Sequence, residues 1–192
     1  MTHPLQILAV SPGTGFQAQA WAPILGSGVN AFLLREPDLD AKDLLVAARW
    51  CQERFPEVRL WVKGRLDVAL AVGCGLHAPE AYPELPSGLI PLSRPLHSEN
   101  QWPERMEAQQ LLVAPVFPVP GKGEPWGAAR FHRFLDGLPQ QAPMIFALGG
   151  ITPERLPELR HPRLAGVALI RALWEAEDPG ALVGQLKAAW TR

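Results

Sequence analysis

Arg35, Lys63, His77, His97, Lys122, the pair Gly149-Gly150 and Arg171 are the residues of this chain best suited by type to chemistry. They share a pattern: each follows a short apolar run or stands in the loop behind one. Guanidinium and ammonium groups in such places hold phosphate, the former in a bidentate fork and the latter as a point charge. Paired glycines at a strand end let the backbone come close to a ligand and turn amide N–H groups toward an anion. Imidazoles titrate near neutrality and move protons when held within about 3 Å of the atom they serve. The chemistry on offer is the binding of a phosphate-bearing molecule, with acid–base work by one of two histidines.

These residues need elements to position them. Met144–Leu148 reads as a buried strand stopped by Gly149-Gly150, and Ile151 to Leu156 as a helix start with Thr152 at the N-cap and Pro153 at its first position. Gly166–Ile170, ending on Arg171, is the next strand. Strand, glycine turn, helix and strand form a βαβ unit, which demands a parallel neighbour and a right-handed crossover. The same alternation runs through the rest of the chain. Leu5–Val10, Val29–Leu34, Arg59–Lys63, Gly75–His77, Leu89–Ser93 and Leu111–Ala114 read as strands. Helices are expected up to about Leu25, from Asp40 (its cap) to about Phe55, and over Asp67–Val72 with Asp67 as cap. Further helices are expected over Asn100–Gln110, Ala128–Leu138 and Asp178–Trp190. Eight units favour one closed (β/α)8 TIM barrel spanning residues 1–192, and no GxGxxG follows the first strand to suggest a dinucleotide fold. Barrel active sites lie at the carboxyl ends of the strands, where Arg65 joins the residues named above in a largely basic mouth.

At 192 residues the chain is short for such a barrel, which more often needs about 250, so its helices and loops must be trimmed. The net charge of −1, without any Lys/Arg run, argues against nucleic acid as partner. No apolar stretch approaches the roughly 20 residues of a membrane span. Met1-Thr2-His3-Pro4 lacks the basic and apolar regions of a signal peptide, so the expected address is the cytoplasm. Cys51 and Cys74 follow no metal or redox spacing and read as buried thiols.

Several stretches, in order, resemble the thiamine phosphate synthase/TenI family of small (β/α)8 barrels. They are Leu34-Arg35-Glu36, Lys63 to Leu70, Leu96-His97-Ser98-Glu99, Ala114 to Pro118 with Lys122 behind it, Ala147 to Pro153 and Gly166 to Ile170. The resemblance implies thiamine biosynthesis: the synthase joins a pyrimidine pyrophosphate to a thiazole phosphate with magnesium, and TenI relatives isomerise the aromatic thiazole phosphate. It implies phosphate-contact roles for Arg35, Lys63, Ser98, Gly149, Gly150 and Arg171, and a ligand such as thiazole phosphate or thiamine phosphate.

Departures from the synthase pattern shape the expectation. Leu33 and Pro37 replace two of its three pyrophosphate-binding residues after the second strand. Lys63-Gly64 stand where its magnesium-holding Asn-Asp pair belongs, and Tyr82 falls near a further Asp. Magnesium needs hard oxygen ligands, so the site is expected to be lost and no cofactor is expected. The chain is therefore expected to be TenI-like, a thiazole tautomerase of reduced activity. A divergent synthase and a non-catalytic phosphate-ligand-binding regulator are the rivals. The TenI catalytic histidine after the sixth strand is replaced by Pro115, which leaves His97, His77 and Lys122 as catalytic candidates.

Other readings stay open. Gly149-Gly150 is either a phosphate cradle or a plain turn, and Arg35 is either a mouth residue or an ion-pair partner of Glu36 or Asp38. Arg171 either clamps the phosphate or fills its pocket. Trp126 is the candidate lid, and exposed Trp and Leu on outer helices would suit a homodimer.

Overall fold

The structure, a computed structural model, describes residues 3–191. Met1 and Thr2, part of the stretch read above as lacking a targeting signal, lie outside the described residues, as does Arg192. The strands are β1 (Gln6–Val10), β2 (Ala31–Leu34), β3 (Arg59–Lys63), β4 (Gly75–His77), β5 (Leu92–Leu96), β6 (Gln110–Val113), β7 (Met144–Leu148) and β8 (Leu164–Leu169). Each pairs in parallel with the next, and β8 returns to β1 to close the barrel. The expected (β/α)8 architecture is the observed one.

Closure follows from strands that are apolar on both faces. Ile7, Phe32, Leu60, Val62, Leu76 and Val167 point outward under the helices. Leu8, Val10, Ala31, Leu33, Trp61, Leu112, Phe146 and Ala168 fill the interior. Trp61, only 1% exposed, is the largest of these, and β4 makes room for it. A Cβ on Gly75 would lie 2.3 Å from Cε3 of the indole, so glycine is required there by close approach.

The outer layer contains α1 (Ala18–Leu25), α2 (Ala41–Arg54), α3 (Leu66–Val72), α4 (Ala128–Asp136), α5 (Arg171–Trp174) and α6 (Pro179–Thr191). Asp40 caps α2 as expected, its carboxylate accepting from the Asp43 N–H at 2.9 Å. Leu44, Ala47, Ala48 and Cys51 form the buried stripe of α2. Both cysteines are buried thiols, their pKa values pushed up to about 12 by burial.

Proline accounts for most departures from the expected elements. β5 begins at Leu92, three residues late, because Pro91 has no N–H to offer the ladder. Its carbonyl instead accepts from the Leu76 N–H. The helix expected over Asn100–Gln110 is two 3-10 turns, Glu99–Gln101 and Pro103–Arg105, broken at Pro103, and Gln110 belongs to β6. After Gly150 there is no α-helix either. Thr152 closes one turn, its carbonyl accepting from Leu156, and Pro157 limits the continuation to the 3-10 helix Leu156–Leu159. Asp67 lies inside α3 rather than capping it, and it pairs with Arg65 at 2.6 Å, which ties that arginine down. The β4–β5, β5–β6 and β7–β8 connections thus carry no α-helix, which is how the chain manages a barrel at this length.

Two expectations about tryptophan are overturned. Trp126 is no lid: it is buried outside the barrel against Phe131 and Phe134 of α4, with the Arg130 guanidinium 4.6 Å from its ring centre. No described tryptophan is exposed, so only the leucine part of the expected Trp and Leu surface is found; the exposed large apolar residues are Val46, Leu70, Leu89 and Met106. No described helix is long and apolar enough to cross a membrane.

The Trp61–Gly75 contact yields a prediction. Gly75→Ala should cost about 1–3 kcal/mol in urea unfolding, the usual range for overpacking. Adding Trp61→Phe should recover part of that loss, giving a clearly non-additive double-mutant cycle.

Candidate active site at the barrel mouth

Strand alternation carries the interior rows into the mouth. Side chains two apart share a face. The inward row through Ala31 and Leu33 therefore continues to Arg35, and the row through Trp61 continues to Lys63. His77 ends β4, and His97 follows β5.

Lys63 shows how crowded with positive charge this end is. Its pKa is lowered, first by burial and then by the charges of Arg35 and Lys122. No ion pair among the described residues involves Arg35, Lys63, Lys122 or Arg171. The pairing of Arg35 with Glu36 or Asp38, one of its two open readings, is thus not made. Glu36 is buried and accepts instead from the Gly13 and Gly15 N–H groups at 3.0 and 2.6 Å.

The two histidines differ sharply. His77 is buried, with Nδ1 2.8 Å from the Ser93 hydroxyl, which also accepts from Gln110 Nε2 at 3.2 Å. Burial, then the charges of Lys63, Arg94 and His97, push its pKa down to about 3. A ring that stays neutral this far into acid is a weak base, suited to hydrogen bonding more than to carrying protons. His97 is exposed, and its Nδ1 lies 2.9 Å from the Ala114 carbonyl oxygen. A carbonyl only accepts, so Nδ1 carries the proton and Nε2 of the neutral ring keeps its lone pair. That is the arrangement a general base needs. Ser98, half-buried, is the N-cap of the 3-10 turn after β5.

On the opposite side, Gly149 and Gly150 have φ of +103° and +65°. A Cβ on Gly149 would lie 3.0 Å from Pro115, and one on Gly150 2.7 Å from Cβ of Phe117. Packing against the β6–α4 loop alone therefore accounts for both glycines. The amides add a second role. The Leu148 and Gly149 carbonyls accept from Val116 and Phe117, whereas the N–H groups of Gly149, Gly150 and Ile151 donate to no described backbone or side-chain group. Arg171 opens α5 and is exposed.

Lys63 ends β3 and Gly64 follows it, Glu36 and Asp67 are engaged elsewhere, and among the described residues no three His, Cys, Asp or Glu converge as ligands. A cleft of about 510 Å³ does exist at the other end of the barrel, lined by Arg59, Trp61, Cys74, Pro91 and Gln109. That end of such barrels serves stability, and none of the site candidates reaches it.

Sequence reasoning missed Gln101, whose side-chain oxygen accepts from the His97 and Ser98 N–H groups at 2.9 and 3.3 Å. The signal was present in the Ser98-x-x-Gln101 spacing of a capping box.

The folded-state pKa of His77 lies below its ordinary value of 6.5, so the unfolded chain binds its proton first as pH falls. The stability from keeping His77 neutral is complete above that value and is lost on descent toward about 3. Relative to a His77→Gln variant, wild-type unfolding free energy should fall by about 1.4 kcal/mol per pH unit across that window, read by urea titrations at stepped pH.

Comparison with known proteins agrees with this fold. The family model described as "Thiamine monophosphate synthase" matches residues 17–173. The thiamine-phosphate synthase of Syntrophomonas wolfei is 32% identical over 177 residues, covering 86% of this chain and 84% of that protein. A putative thiamine-phosphate synthase of Geobacter sulfurreducens is 36% identical over 170 residues, covering 81% and 78%. Among solved structures, thiamine phosphate pyrophosphorylase from Pyrococcus furiosus superposes with a TM-score of 0.80 over 97% of this chain and 96% of that one; at 18% identity this speaks to fold. The chain belongs to the thiamine monophosphate synthase family.

Proposed function

We propose that this chain is a TenI-type member of its family, which binds thiazole phosphate or thiamine phosphate in the barrel mouth and isomerises the thiazole phosphate slowly, without a divalent metal. The observation that carries the reading is the group Arg35, Lys63 and Lys122, crowded together with no carboxylate ion-pair partner among the described residues. Like charges so placed are relieved by an anion and would be made worse by a metal cation. The free amides of Gly149 to Ile151 and the exposed Arg171 supply donors for a phosphate on the other side.

Isomerisation removes a proton from one ring position and returns one to another, so a single base suffices and nothing is consumed. His97 is that base: its Nε2 lone pair takes the proton and then gives it back. Lys122 stabilises negative charge as it builds on the ring, and His77 stays a neutral hydrogen-bonding group beside it.

Synthase activity is the second reading, favoured by the names of the relatives at 32% and 36% identity. In that case the three cations, in place of a metal, would neutralise the departing diphosphate.

Calorimetry with thiazole phosphate, in EDTA and in magnesium, tests the proposal. Equal affinity in both, with slow isomerisation followed by NMR, is the expected result; binding without turnover points to a regulator. Formation of thiamine phosphate from both substrates would transfer the chain to the synthase reading. Lys63→Met should weaken thiazole phosphate binding by about tenfold to a hundredfold, the usual effect of losing a hydrogen bond to a charged partner.

A further inference from the structure

The flank of the barrel between β4 and β6, where α-helices are missing, holds a buried arginine. Arg105 is 6% exposed, and its Nε and Nη1 have no partner among the described residues. Its only described ion-pair partner is Glu80, whose Oε1 lies 3.8 Å from Nη2. A guanidinium so deep in the protein draws the available carboxylate toward it. Glu80 also accepts a hydrogen bond from Gln101 Nε2.

That bond has a consequence for geometry. A carboxylate can only accept, so it must face the nitrogen end of the Gln101 amide, and the oxygen end must point the other way. There Oε1 accepts from the His97 N–H at 2.9 Å and the Ser98 N–H at 3.3 Å. The backbone that carries His97 is thereby fixed just as it leaves β5, and the ring is left with Nδ1 on the Ala114 carbonyl. Without Glu80 the Gln101 side chain would lose its outer tether and could swing away from the two N–H donors, which would release this stretch of chain.

We propose that Glu80 and Gln101 are positioning residues for His97, with Arg105 anchoring Glu80, and that together they select the His97 tautomer whose Nε2 is free to accept a proton. The inference rests on reading His97 as the base, yet it can be tested independently of turnover.

Long-range 1H–15N spectra of the histidine rings, assigned with His97→Gln, report which nitrogen of His97 bears the proton. Wild type should show the Nδ1–H form; the Nε2–H form in wild type would overturn the proposal. Gln101→Leu should shift the ring toward a tautomer mixture and lower kcat by about tenfold to a hundredfold with KM unchanged. The reciprocal swap E80Q/Q101E keeps the bond between positions 80 and 101 and both backbone bonds, an amide at position 80 donating to a carboxylate at position 101 that accepts from the two N–H groups, but gives up the ion pair with Arg105. It should move spectrum and kcat together back toward wild type. An unchanged spectrum in Gln101→Leu, or a swap that fails to move it back, would also overturn the proposal. If Gln101→Leu does not fold, Glu80→Ala takes its place, with the same shift expected and an unchanged spectrum again counting against the network. A spectrum that responds as expected in a protein that turns over no thiazole phosphate would uphold the positioning network and remove the tautomerase reading.

Discussion

Inside a closed parallel barrel, each strand residue must point either to the centre or to the helices, and its direction is settled two residues away. Everything at the mouth depends on that constraint. Once Leu33 and Trp61 are committed to the interior, Arg35 and Lys63 follow onto the same face and meet at one end. The apolar plug beneath them excludes water from one side, which is why burial leads the causes acting on Lys63 and His77. Trp61 and Gly75 are thus part of the site's electrostatics without touching any ligand.

The mouth is built at a cost in charge repulsion. Three cations stand together with no ion pair among the described residues, and burial and the charge of Lys63 hold a histidine neutral beside them. The carboxylate nearest in sequence, Glu36, is turned away to hold the Gly13 and Gly15 amides. Such uncompensated positive charge is the feature on which the proposed anion site rests. Family membership and the chemistry of this mouth therefore answer different questions, since the shared barrel hosts whatever its strand ends provide.

How much of this was legible depended on range along the chain. The spans of β3, β4 and β7 follow from apolar runs alone and agree with the structure residue for residue. The basic character of the mouth was also legible, because each cation directly follows its own strand or sits in the loop behind it. Reading failed where proline met an apolar run: Leu89-Ile90 looked like a strand until Pro91 removed a rung, and Thr152-Pro153 looked like a helix until Pro157 stopped it. It failed again where the partner is distant. Nothing near Gln101 announces Glu80, twenty-one residues earlier.

The depressed basicity of Lys63 has a thermodynamic corollary. An anion that settles beside this ammonium restores its hold on hydrogen ions, so occupancy of the mouth and uptake of H+ from the medium are linked quantities. Heats of association would then vary with the ionisation enthalpy of the buffer, and alkaline solutions would loosen the complex sooner than an ordinary surface lysine would allow.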